Sequence, residues 1–114
     1  MVKFKDRDRT MNKIHIKLPK EKIAEFCKRW KVREFAIFGS VLRNDFRPDS
    51  DIDIIVDFET GAHISLFDLV SMTDELRVIF QRNVDLLTRR GVEQSRNYIR
   101  RKEILSSMQV VHAA

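Results

Sequence analysis

The sequence predicts an α/β (α+β) fold, a small mixed β-sheet flanked by helices, in the order α-β-β-α-β-α. Apolar residues recur at helical spacing in three separate stretches, and three short runs rich in β-branched and aromatic residues read as strands. The two kinds of segment alternate along 114 residues that include only three Gly and two Pro, which excludes collagen-like or low-complexity character. That length supports one domain with its own core, and not two.

The elements follow in order. Residues 1–12, "MVKFKDRDRTMN", are polar and irregular and read as a flexible leader, with Met11 a second candidate start; the domain is expected over 13–110. "IHIKL" alternates and predicts a short extended piece. Pro19 stands where a first helical residue would, and Ile23, Phe26, Cys27 and Trp30 fall on one face of a helix over about 19–31. "EFAIF", 34–38, reads as a buried strand ended by Gly39-Ser40, and "DIDIIVDF" as a second strand beyond a loop containing Pro48. Ser65 and Asp68 form a capping-box pattern before the stripe Leu66, Leu69, Val70, Leu76, Ile79 and Phe80, a helix to about 81. "NVDLLT", 83–88, is a third strand. A last helix from about Val92 is expected to turn Tyr98, Ile99, Leu105 and Met108 inward.

Charge is distributed in blocks. Residues 1–33 hold twelve Lys/Arg against four Asp/Glu, residues 34–88 four against eleven, and residues 89–114 six against two, within a net charge of +5. An acidic middle between basic ends differs from the uniform basic face of a nucleic-acid binder, so direct nucleic-acid binding is the weakest reading. No apolar run has the length of a membrane span, and the charged N-terminus lacks the apolar stretch of a signal peptide. A single cysteine, Cys27, excludes an internal disulfide and fits a cytoplasmic, reducing setting.

The chemistry is concentrated in "FGSVLRNDFRPDSDID", residues 38–53. Alternation along a strand puts Asp51 and Asp53 on one face, with Cα atoms roughly 6.5–7 Å apart. Such a pair is either a solvated strand end or a site for a hard cation such as Mg²⁺. Asp85 sets a third carboxylate in an apolar strand; were that strand beside the second, three acids would converge. Three acids can hold two metal ions about 3.5–4 Å apart, as in phosphoryl and nucleotidyl transfer. Gly39 leaves room for a phosphate to approach the backbone, Ser40 offers a hydroxyl and an N–H, and Arg43 and Arg47 are within reach as charged donors.

Gly39-Ser40, ten residues, then Asp51-x-Asp53 is the pattern G-S-x10-D-x-D, which resembles the DNA polymerase β-like nucleotidyltransferase superfamily. The runs "FAIFGSVLRNDFRPDSDIDIIVDFE", "SLFDLVSMTDEL" and "NVDLLTRRG" are most similar to the minimal nucleotidyltransferases (MNT) encoded beside HEPN-domain proteins in toxin–antitoxin pairs, over roughly residues 19 to 105. The resemblance implies that Gly39 and Ser40 bind nucleotide phosphates and that Asp51 and Asp53 bind metal, with Asp85 completing the acidic triad. Arg43 matches a basic residue that often follows the Gly-Ser pair, whereas Asn44 stands where many relatives have Gly. The implied activity is antitoxin adenylylation: AMP passes from ATP to a tyrosine of a partner HEPN ribonuclease, pyrophosphate is released, and Mg²⁺, as two ions, assists.

Rival readings are a small-molecule nucleotidyltransferase, such as one acting on an aminoglycoside, and an antitoxin that inhibits by binding alone. Asp49 and Asp57 read as loop and edge residues, and His15, His63 and His112 as surface residues without metal-ligand spacing. Cys27, Phe26 and Trp30 read as core. Arg89 and Arg90 are either a solvated turn or part of an acceptor-docking surface.

Overall fold

The computed structural model describes residues 18–39, 47 and 50–113. The leader, most of "IHIKL", His15, Ser40, Arg43 and Asp49 lie outside the described residues. Within them the order is α1 (Lys20–Trp30), β1 (Val32–Phe38), β2 (Ile52–Phe58), α2 (Leu66–Phe80), β3 (Val84–Thr88), α3 (Arg89–Glu93), α4 (Tyr98–Ser107) and β4 (Gln109–Ala113). The four strands form one mixed sheet in the order β3-β2-β1-β4. β1 runs antiparallel to both β2 and β4, while β2 and β3 are parallel.

Side-chain alternation divides the sheet's interior into two cores. Phe35 and Ile37 of β1 and Ile52, Ile54 and Val56 of β2 face α1 and α2, where Ile23, Phe26, Met72 and Leu76 close the larger core. Phe26 and Phe35 meet edge to face with ring centroids 6.0 Å apart. Ala36, Phe38 and Ile55 face the other way, onto Val92 of α3 and Ile104 of α4. β2 is therefore buried on both faces, which explains its nearly continuous apolar sequence. Its two aspartates flank Ile55 on the thinly covered face. Asp57 is neutralised there by an ion pair with Arg33; Asp53 lies at the opposite end of the strand.

Local chemistry sets the helix limits. Ser65 and Asp68 make the expected capping box reciprocally, at 3.1 and 2.9 Å. α1 and α2 end on Lys31 and Gln81 in the left-handed region, at φ 57° and 59°. Glu75 of α2 ties the two helices together by accepting from Trp30 Nε1 at 3.0 Å and pairing with Arg29. No helix among the described residues is long and apolar enough to cross a membrane.

The C-terminal region departs from the sequence reading. In place of one helix from Val92 there are two, because the Thr88 hydroxyl accepts from Gly91 N (3.0 Å) to start α3 and the Asn97 carboxamide accepts from Arg100 N (3.0 Å) to start α4. Leu105 and Met108 do pack inward, but Tyr98 and Ile99 are 60% and 76% exposed, and Ile104 is the buried anchor. Beyond Ser107 the chain turns extended at Met108 and adds β4 as an edge strand beside β1. His112 lies half-buried on that strand, whereas His63 is exposed as expected.

Cys27 is a core thiol, 1% exposed, and burial pushes its pKa from the ordinary 9.0 up to about 12. Above about pH 9 the unfolded chain loses this proton while the folded chain keeps it. The unfolded state then binds fewer protons, so stability falls as pH rises toward 12, with a slope approaching about 1.4 kcal/mol per pH unit. Urea titrations at pH 8 and pH 10.5 are expected to show this loss in the native chain and a smaller one in Cys27→Ala. An equal loss in both would mean that the thiol titrates normally in the fold.

Candidate active site

The parallel register of β2 and β3 puts Asp53 directly opposite Asp85. Both side chains leave the sheet on the α3–α4 face, from strands about 4.8 Å apart. On the other side of β2, antiparallel pairing sets Phe38 opposite Asp53, so the chain reaches Gly39 beside the same carboxylate. Gly39 has φ +76°, and a Cβ built there would run into the Asp53 carboxylate, 3.2 Å from its Cγ. Glycine is thus required by backbone and by space at once.

These residues floor an open cleft of about 520 Å³. Phe38, Gly39, Asp53 and Asp85 form its base, and Arg100, Glu103, Ile104 and Ser107 of α4 form the opposing wall. The wall residues recur at i, i+3, i+4 and i+7, one face of a helix. Only Ile104 of that face is buried.

Asp51 stands one residue before β2 and is exposed. The segment before it is held from β3's side: the Arg82 guanidinium donates to the carbonyls of Arg47 and Ser50, each at 3.3 Å. Ile52 N donates to Asn83 O at 3.0 Å, and Arg47 N to the Ser50 hydroxyl at 3.0 Å. Arg47 itself is exposed, and neither it nor Asp51 lines the cleft. Arg89 pairs with Glu34 and Glu93 at 3.1 and 3.0 Å, a link between α3 and β1, while Arg90 is exposed.

Of the three predicted acids, two are brought together. Among the described residues no group of three His, Cys, Asp or Glu side chains is drawn closely enough to hold a metal ion. The donor chemistry nevertheless fits a hard divalent cation, since Asp53 and Asp85 offer only carboxylate oxygens and share one face of the sheet. Residue-by-residue reading missed the α4 wall and Arg82. The wall was legible as a helical stripe in which Arg100, Glu103 and Ser107 occupy positions that a core-facing helix fills with apolar groups.

Residues 20–110 match the model of the nucleotidyltransferase domain family. The chain is 42% identical over 69 residues to a Methanocaldococcus jannaschii protein provisionally named a protein adenylyltransferase, covering 60% of this chain and 72% of that one. A solved structure provisionally described as a minimal nucleotidyltransferase is 30% identical, covers 79% of this chain and 86% of its own, and superposes with a TM-score of 0.59. A toxin–antitoxin crystal structure with AMP-PNP shares the fold, with a TM-score of 0.66 at 19% identity over 85% of this chain and 75% of that one. With the family match running from α1 into β4 and the acids paired on β2 and β3, the chain belongs to the nucleotidyltransferase domain family, on the plan of the minimal nucleotidyltransferases.

Proposed function

We propose that this chain is an antitoxin that transfers AMP from ATP to a tyrosine hydroxyl of a partner HEPN ribonuclease toxin, releasing pyrophosphate, in the cytoplasm. The observation that carries this reading is the pairing of Asp53 with Asp85 beside Gly39 in an open cleft. The names of a relative, a protein adenylyltransferase, and of a structural neighbour, a toxin–antitoxin with AMP-PNP, support it.

In the proposed reaction the acceptor oxygen bonds to the α-phosphorus of ATP as the bond to the β-phosphate oxygen breaks. Pyrophosphate leaves from the far side, and the hydroxyl proton is lost to solvent or to a carboxylate. Gly39, with no side chain, lets the nucleotide phosphates approach the backbone at the end of β1. Ser40 and Arg43 are assigned to the same phosphates by the resemblance of the motif, and Arg47 as a charged donor in the loop that follows it. Asp53 and Asp85, with Asp51 arriving from the strand's start, would hold Mg²⁺, which when bound supplies charge neutralisation and a sharpened nucleophile. Leu66 and Phe67 on α2, 76% and 85% exposed, and Tyr98 and Ile99 on α4 are solvent-facing apolar groups of the kind a protein acceptor covers.

Co-purification with the encoded partner, followed by incubation with ATP and Mg²⁺ and peptide mapping, tests the acceptor. AMP on a tyrosine of the partner is the expected result. An unmodified partner together with a modified aminoglycoside would replace this reading with the small-molecule one.

A further inference from the structure

Arg100 is the one cationic residue among those described as lining the acid cleft. It lies in the first turn of α4, which holds Arg100 and Arg101 and no acid. Cations at that end oppose the helix dipole. Arg101 has a structural reason to be there. Its guanidinium donates to the carbonyls of Glu93 and Ser95 at 3.4 and 3.1 Å and lies 5.3 Å from the centroid of the Tyr98 ring. Arg100 has none: it is exposed, and its side chain makes no hydrogen bond or ion pair among the described residues.

The position of Arg100 along the cleft is informative. Arg100 and Ile104 also line a second, apolar cavity of about 380 Å³, beside Leu86 and Leu87 of the edge strand β3. Arg100 therefore belongs to the Asp85 end of the cleft, with β2 separating it from Gly39 on β1. A floor of carboxylates repels phosphate, and Glu103, one turn along the wall, adds to that repulsion. Among the described lining residues Arg100 alone offers a guanidinium there, and its planar fork suits two phosphate oxygens.

We infer that Arg100 binds the nonbridging oxygens of the nucleotide's α-phosphate, the group that is transferred, and not the outer phosphates toward Gly39. The inference rests on the nucleotide reading above.

Equilibrium titrations of the full chain with AMP-PNP and with AMP, each with Mg²⁺, test it. Arg100→Ala is expected to weaken both nucleotides about tenfold or more, with part of the affinity restored in Arg100→Lys. Arg101→Ala is expected to leave both affinities in place and lower the thermal midpoint. Unchanged affinities in Arg100→Ala would overturn the assignment, as would a loss confined to AMP-PNP, which would put Arg100 on the outer phosphates. A native chain that binds neither nucleotide would overturn the nucleotide reading itself, and this assignment with it.

Discussion

Asp53→Asn is expected to lower nucleotidyl transfer by on the order of a thousandfold while the thermal midpoint stays within a few degrees of the native value. The amide keeps the shape of the carboxylate beside Gly39 but removes a charge from the base of the cleft. A divalent cation contributes several kcal/mol to stabilising the charge that builds up in such a transfer, and each 1.36 kcal/mol is a factor of ten in rate. The fold should tolerate the change because Asp53 is only half-buried, at the start of β2. Removing one of two facing carboxylates also relieves their mutual repulsion. Pyrophosphate release from ATP with Mg²⁺ and the partner present measures the rate. A variant retaining more than about a tenth of the native rate would remove Asp53 from the chemistry.

Gly39→Ala is expected to damage both stability and activity, for reasons that can be separated. Its φ of +76° is a region that costs an alanine about 1–2 kcal/mol. The added methyl must also push the Asp53 carboxylate aside. Together these are expected to lower the thermal midpoint by roughly 10 °C and to reduce transfer about as severely as Asp53→Asn. Gly61 is the internal control, with φ +89° and nothing within 4 Å of an added Cβ. Gly61→Ala should carry the backbone penalty alone and keep full activity. Equal behaviour of the two variants, in melting and in rate, would show that the contact between Gly39 and Asp53 is irrelevant to function.

The parts of this molecule legible in its sequence are those governed by local patterns. The β-branched run of β2, the Ser65–Asp68 box and the apolar stripes of α1 and α2 each specify an element within a few residues. The spacing from Gly39 to Asp53 also has a simple physical meaning, since a strand end, a connection and a strand start must bring Gly39 beside the Asp53 carboxylate. What was hidden depends on nonlocal partners. β4 is a short β-branched run that becomes a strand only because β1 offers an open edge. Tyr98 and Ile99 fit a helical stripe, yet Asn97 caps α4 in a phase that buries Ile104 and leaves them in solvent. The polar stripe of Arg100, Glu103 and Ser107 is visible in the sequence, but that it faces Asp53 and Asp85 follows only from where α4 is laid.

The measurement that tests the central claim most directly is the intact mass of the partner after incubation with ATP and Mg²⁺, with native chain and Asp53→Asn side by side. The acid cleft of β2 and β3 predicts one or more AMP units on the partner with the native chain and none with the variant at equal times. Equal modification by both chains, or a partner left unmodified by the native chain, would contradict it.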